Sequence, residues 1–128
     1  MQGRNTLPDE RYQVGRMRKI ESQMLHAMRT GKSWAYANTR VNVISVDDSR
    51  ITEVYLHDKL IAEIGLTRIT LWNRGWATPT TKSRLNAILS GIDSSMRIHQ
   101  NDFVWYITDY RNRESVPTRF IDGEEFYI

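Results

Sequence analysis

The sequence contains no cysteine, which excludes disulfide bonds and thiolate metal sites and fits a reducing cytoplasm. Its three prolines and seven glycines are ordinary numbers, and no linker, internal repeat or low-complexity tract divides the chain. No window approaches the roughly 18 consecutive apolar residues of a membrane helix. The polar start, MQGRNTLPDER, lacks the apolar segment of a signal peptide. We therefore expect a cytoplasmic protein that does not contact membranes.

Negative charge is missing from the middle of the chain. No Asp or Glu occurs between Ile64 and Ile92, although the protein has 15 acidic residues. This stretch carries Arg68, Arg74, Lys82, Arg84, Trp72 and Trp76. Because cations neutralise phosphates and indole rings stack on bases, this composition favours a surface for single-stranded nucleic acid.

The charge of the other segments alternates in sign. Residues 1–33 are net +4, 34–63 are −2, 64–92 are +4, 93–101 are neutral and 102–128 are −3, within a total of +3. This distribution is typical of a basic face with an acidic C-terminal segment. The alternative is that folding mixes these segments and leaves no patch.

The length of 128 residues and the hydrophobic content of 40% predict one domain with its own core. We divide it into a basic helical arm over 1–32, an α+β core over 33–108 and an acidic hairpin or tail over 109–128. Helical spacing of Val14, Met17, Ile20, Met24 and Met28 predicts the arm helix over about 9–30. Asn5 or Thr6 is its expected cap, Pro8 lies in its first turn, and Gly31 ends it. The methionines are either core residues or a plastic interface.

Alternation and turn residues predict an antiparallel β-meander after this helix. The expected strands are 40–46, 51–57, 60–64 and 68–72, and Trp34 and Tyr36 are expected to open the first of them. A second, short helix is predicted over about 79–90, because Thr78 suits the N-cap and Pro79 the first helical position. Cations near the start of this helix suit a bound phosphate, or they serve only solubility.

The last third of the chain is predicted to return to β structure. Residues 96–99 and 103–108 should form a hairpin, with Trp105 in the core. Asp122-Gly123 is a hairpin-turn signal, and the sequence leaves open whether 120–128 is a strand pair or a free acidic tail. The predicted fold class is α+β.

Signals of catalysis are missing. None of the three histidines has metal-ligand spacing or lies in a nucleophile motif, and Gly31-Lys32-Ser33 lacks the upstream glycine and strand of a phosphate loop. We expect no enzyme activity, no metal and no cofactor.

The candidate nucleic-acid-binding residues are aromatic and basic. They are Trp34, Tyr36, Arg40, Arg68, Trp72, Arg74, Trp76, Lys82 and Arg84. The run from Trp72 to Trp76 is the best stacking candidate, and the exposure of Trp76 is open.

Three motifs resemble a group of small proteins of tailed bacteriophages. The patterns SGKxWxxxNTxV, YLHxxxIA and GWxTxTTxSRLNAIL correspond here to residues 30–41, 55–62 and 75–89. The resemblance covers roughly residues 30–90 and departs in the basic N-terminal segment. It implies a phage origin and a location in the host cytoplasm, and it implies no activity.

Two functions stay open. The first is a non-enzymatic protein that binds single-stranded nucleic acid, most readily DNA, in phage transcription or replication. The alternative is a small phage effector that inhibits or redirects a host protein. The candidate protein partners are host or phage RNA polymerase and a replication protein, and a homo-oligomer is expected in either case.

Overall fold

A computed structural model describes residues 17–111 and 113–128, in which two helices and nine strands are found. The helices are α1 (Lys19–Thr30) and α2 (Pro79–Gly91). The strands are β1 (Trp34–Tyr36), β2 (Thr39–Val46), β3 (Ser49–Leu56), β4 (Lys59–Ile64), β5 (Arg68–Leu71), β6 (Met96–Asn101), β7 (Val104–Asp109), β8 (Thr118–Arg119) and β9 (Glu124–Tyr127). The predicted α+β class is confirmed.

The larger sheet is an antiparallel meander. Its strand order is β1-β2-β3-β4-β5-β9, and each of the first four strands pairs with the next one along the chain. Trp34 and Tyr36 form the separate strand β1 instead of opening β2. Two-residue turns at Asp47-Asp48 and His57-Asp58 have positive φ at both positions, which matches the twist of the strands that they join. The predicted meander is confirmed, with strand limits shifted by one or two residues.

Helix α1 contributes to the core. Met24, Leu25 and Met28 are buried, so these stripe residues serve packing, as one of the two interpretations held. The helix begins at Lys19, because Arg18 is extended with φ −65° and ψ 148°, so the predicted helix is wrong at residues 17 and 18. Its predicted part over 9–16 and the caps Asn5, Thr6 and Pro8 lie outside the described residues.

Both predicted helix boundaries downstream are confirmed. Gly31 ends α1 in the left-handed conformation, with φ 68°, and its N–H donates to the carbonyls of α1. The Thr78 hydroxyl oxygen accepts from the Thr81 N–H at 3.1 Å, and Pro79 occupies the first position of α2. The α2 residues Leu85, Ile88 and Leu89 are fully buried in the core that α1 and the sheet share.

The C-terminal segment joins two sheets instead of forming a hairpin. The expected β6–β7 hairpin is present, and β8 pairs with β7 in this three-stranded sheet. After the Asp122-Gly123 turn, β9 pairs with β5 in the larger sheet. Of the two alternatives left open for 120–128, the free tail is therefore excluded, and the strand β9 pairs with β5 and not with a strand of its own segment. The turn is fixed by tertiary contacts, since the Gly123 N–H donates to the Leu71 carbonyl at 2.8 Å.

Candidate nucleic-acid interface

One end of the larger sheet gathers residues from several strands. Tyr36 lies opposite Thr39, Thr39 opposite Leu56 and Leu56 opposite Lys59, so Tyr36 and Lys59 end in the same row. The His57 N–H donates to the Asn38 carbonyl at 2.8 Å, which binds the two neighbouring turns together. Antiparallel register therefore places side chains about 20 positions apart in the sequence at one edge of the fold.

Trp76 extends over this end of the sheet. It is 44% exposed, and the Lys59 Nζ lies 5.2 Å from the centre of its ring. The His57 ring lies 5.5 Å away at an interplanar angle of 55°. A large indole that stays this accessible beside a cation is suited to a flat ligand that carries a negative charge, since the indole face offers stacking and Lys59 offers the counter-charge.

The loop between β5 and α2 is held in a defined conformation. Both carboxylate oxygens of Asp122 accept backbone N–H groups, from Asn73 at 2.8 Å and from Arg74 at 2.9 Å. The guanidinium of Arg74 lies 4.8 Å from the ring centre of Trp72, and its Nε donates to the Leu60 carbonyl at 2.8 Å. This loop thus presents Trp76 from an ordered support.

We call this region the sheet-end surface and define it as Tyr36, His57, Lys59, Arg74 and Trp76. All five side chains are exposed, Tyr36 by 62%. Asp58 is also exposed in the same turn, so the surface is positive overall without being free of acid. His57 and Lys59 were missed as candidates, because only the hairpin register reveals that they contact Trp76.

Arg84 does not belong to any surface. Its side chain is 3% exposed, and its guanidinium forms an ion pair at 2.7 Å with Glu21, which is equally buried. The interpretation of Arg84 as a phosphate contact is corrected by this burial. The alternative in which folding mixes the charged segments holds here, since the carboxylate comes from α1.

Arg68 is exposed but already engaged with β9. Its guanidinium contacts the Glu125 carboxylate and the Tyr127 hydroxyl, both at about 3.1–3.2 Å. Its charge is thereby partly neutralised by an acidic residue that the sequence places 57 positions away. The acid-free stretch is therefore acid-free along the chain and not in space.

The remaining candidates lie on different parts of the molecule. Arg40 stacks on Tyr55 at 4.0 Å, on the sheet face opposite the helices, where Glu53 and Glu63 face each other on neighbouring strands. Burial raises the pKa of Tyr55, and its hydrogen bond to the Glu53 carboxylate raises it further, so this hydroxyl stays protonated. Lys82 on α2 reaches the Gln100 side chain at 3.4 Å.

Among the described residues, four cation–π pairs occur, where about one per 70–80 residues is typical. Three of these four pairs use the aromatic ring of Tyr55, Trp72 or Tyr127 on or beside the larger sheet, and the fourth uses Trp76. Of the four rings, Trp76 combines exposure with a cation that no carboxylate contacts within the described residues. The Trp76 ring is therefore the best candidate among the four to contact a nucleic-acid base.

Within residues 17–111 and 113–128, no group of three His, Asp or Glu side chains is arranged to hold a metal ion. In the same residues, no helix has the length and apolar character needed to cross a membrane.

The chain matches the model of the family described as Kyanoviridae Gp96 protein over residues 17–127. The chain belongs to this phage protein family. The match spans both helices and all nine strands, so it covers the sheet-end surface as a whole. The expected phage origin is confirmed, whereas the three-motif pattern stays a prediction. No curated protein and no solved structure matches the chain.

Proposed function

We propose that this phage protein binds single-stranded nucleic acid, most readily DNA, without catalysing a reaction, and that it acts in phage transcription or replication. The observation that carries the proposal is the accessible Trp76 ring, 44% exposed with Lys59 at 5.2 Å and Arg74 in the same loop. The sheet-end surface is the part of the protein proposed to contact the nucleic acid.

The chemistry of this surface suits unpaired bases. A base stacked on an aromatic side chain contributes about 1–3 kcal/mol and tolerates any sequence, because every base has a π face. Bases in a duplex are already stacked, so an exposed indole favours single strands over double strands. Lys59 lies close enough to the Trp76 ring to contact a phosphate beside a stacked base, and Arg74 adds a second positive charge two residues before Trp76 in the same loop.

The test is fluorescence anisotropy with labelled single-stranded and double-stranded oligonucleotides, from about 50 to about 300 mM salt. Trp76→Ala should weaken single-strand binding about 5- to 150-fold, which corresponds to about 1–3 kcal/mol for one stacked base. Plotted as log K against log salt, the affinity should fall less steeply for Lys59→Gln, by about 0.7 in the magnitude of the slope. This is the value for one phosphate contact on a single strand.

Matched controls lie away from the sheet end. Tyr110→Ala removes an aromatic ring of 59% exposure after β7, and Arg119→Gln removes an exposed cation on β8. Both should leave affinity and salt slope unchanged. Absence of binding at about 50 mM salt, or equal losses in the controls and the Trp76 variant, would reject the proposal.

The effector alternative is supported by a different observation. Leu66 is 93% exposed at the edge of a cleft of about 280 Å³ with an apolar floor that includes Leu25, Met28 and Ile64. An exposed leucine beside an apolar cleft suits a protein interface. This alternative expects capture of one dominant host protein, lost in Leu66→Ser, together with no nucleic-acid affinity. Polymerase or replication partners and a homo-oligomer stay predictions.

A further inference from the structure

A groove of about 620 Å³ runs between α1 and the edge strand β1. Its volume falls in the range of roughly 300–1,000 Å³ that ligand sites occupy in proteins. The groove is lined by Lys19, Ser22, Gln23, His26, Ala27, Thr30, Lys32, Ser33 and Trp34.

The lining follows one face of α1. Positions 19, 22, 23, 26, 27 and 30 are spaced by three or four residues, which places them in a stripe along the helix. With a rise of 1.5 Å per residue, this stripe is about 17 Å long. The groove is therefore long enough to accommodate several nucleotides of an extended strand.

The groove carries positive charge and hydrogen-bond donors and no carboxylate. Lys19 and Lys32 border it at its two ends, and no Asp or Glu is among its lining residues. The single acidic residue of α1, Glu21, is removed from the surface by its buried pair with Arg84. The Ser33 hydroxyl oxygen accepts from the Val43 N–H at 3.0 Å, which leaves its proton available to a phosphate oxygen.

The groove is continuous with the sheet-end surface through β1. Trp34 is half-buried, contacts the core and lines the groove, and Tyr36 of the sheet-end surface lies two positions along the same strand. Residues two apart on a strand share a face, so both rings follow one side of β1. Aromatic rings at intervals along a cationic path are how single strands are bound without sequence preference.

We propose that this groove is the second part of the nucleic-acid path: a strand stacked on Trp76 continues over Tyr36 into the groove, where Trp34 contacts a base and Lys19 and Lys32 contact phosphates. This proposal rests on the proposed function and names a longer single strand as the ligand. A polynucleotide is the anionic ligand that suits this groove best, because the aromatic side chains Trp34 and Tyr36 follow the strand that borders it.

The test compares labelled single-stranded oligonucleotides of about 4 and about 15 nucleotides, the range of site sizes of small single-strand-binding modules. For the long oligonucleotide, the double variant Lys19→Gln/Lys32→Gln should reduce the magnitude of the slope of log K against log salt by about 1.4. This corresponds to two phosphate contacts at about 0.7 each. The double variant should leave the short oligonucleotide, bound at Trp76, unchanged. Arg113→Gln/Arg119→Gln, which removes two exposed cations near the C-terminal strands, is the matched control.

A photoreactive base near one end of the long oligonucleotide provides a second readout that does not depend on mutation. The tryptic peptide 33–40 contains both Trp34 and Tyr36, so fragment-ion sequencing must locate the crosslinked residue. Crosslinks located at Trp34, in addition to the peptide that contains Trp76, support the path. Crosslinks to the Trp76 peptide alone, with an unchanged slope in the lysine double variant, overturn the groove and leave the proposed function standing.

Two other outcomes are distinct from these. No binding of either oligonucleotide at about 50 mM salt overturns the proposed function and the groove with it. Tighter binding of polyglutamate than of an oligonucleotide of equal charge, lost in the lysine double variant, shows that the groove takes an acidic peptide and overturns the polynucleotide.

Discussion

Arg84 on α2 donates from Nη1 to the Oε2 of Glu21 on α1 at 2.7 Å, and both side chains are 3% exposed. The same Glu21 oxygen accepts the Ser83 hydroxyl at 2.7 Å. The remaining nitrogens of Arg84 reach the turn between β1 and β2, at Thr39 Oγ1 (2.9 Å) and Asn38 Oδ1 (3.2 Å). One guanidinium thus connects both helices to the turn beside the sheet-end surface.

Removing one member of this pair should be strongly destabilising. Arg84→Met is expected to lower the free energy of unfolding by about 3–5 kcal/mol, because Glu21 would remain buried without a counter-charge. The double variant Arg84→Met/Glu21→Leu should recover much of this loss, since it removes both charges. Urea unfolding of the three proteins measures the effect, and a single variant as stable as the double variant would contradict the role of the pair.

Close contact between the helices depends on the absence of a side chain at Gly91. A Cβ built there would lie 2.3 Å from Leu25 Cδ2, so the largely buried Leu25 side chain would have to shift from its packed position. Gly91→Ala should therefore lower stability by about 1–3 kcal/mol, although alanine is the better helix former. Thermal unfolding checks this expectation.

The control for Gly91→Ala is Ser90→Ala in the same helical turn, for which we expect a change within about 0.5 kcal/mol. Leu25→Ala should also reduce the effect of Gly91→Ala, because it removes the atoms that a methyl group would meet. A Gly91→Ala protein that is more stable than the parent would show that helix propensity outweighs this contact.

Protonation of Asp109 should lower the stability of the folded protein in acid. Hydrogen bonds from the Arg111 side chain, with help from the Ser95 hydroxyl, hold the pKa of Asp109 well below its ordinary value. The folded state therefore prefers the carboxylate, and its contribution is present above about pH 3.9 and lost as the pH falls below it. Urea unfolding between about pH 2 and about pH 6 tests this window.

The expected result is that the stability difference between the parent and Asp109→Asn shrinks as the pH falls below about 4. Arg111→Gln should weaken the pH dependence, because it removes the main cause of the lowered pKa. A difference that grows in acid would reverse the sign and reject this role of Asp109.

Much of the fold could be predicted because its signals are local. The Thr78 cap, Pro79 and Gly31 act within a few residues, and alternating strands joined by two-residue turns pair with their neighbours. The C-terminal strand could not be placed in this way. Asp122-Gly123 is a local turn signal, but its use depends on a carbonyl of β5 that lies about 50 positions earlier.

The residues of the candidate site also divide into those with local sequence signals and those that only the fold brings together. Trp76 and Arg74 were found because their composition is visible in one short run, whereas Lys59 and His57 were missed because hairpin register brings them to that run. Arg84 was assigned to the surface because sequence spacing does not reveal that α1 supplies a buried carboxylate. Lys19 carries no site signal in the sequence, because its place in a groove depends on where β1 lies.

The sequence by itself determined the two helices, the boundaries at Gly31 and Thr78, the meander and the β6–β7 hairpin, since each depends on side chains within a few residues of one another. Tertiary structure alone decided which charges remain available. Arg84 and Arg68 find carboxylates from α1 and β9, while Lys59 and Arg74 are brought to aromatic rings at the sheet end. The physical reason is that charge acts through space over a few ångströms, so a cation's partners are set by the fold and not by its neighbours in the chain.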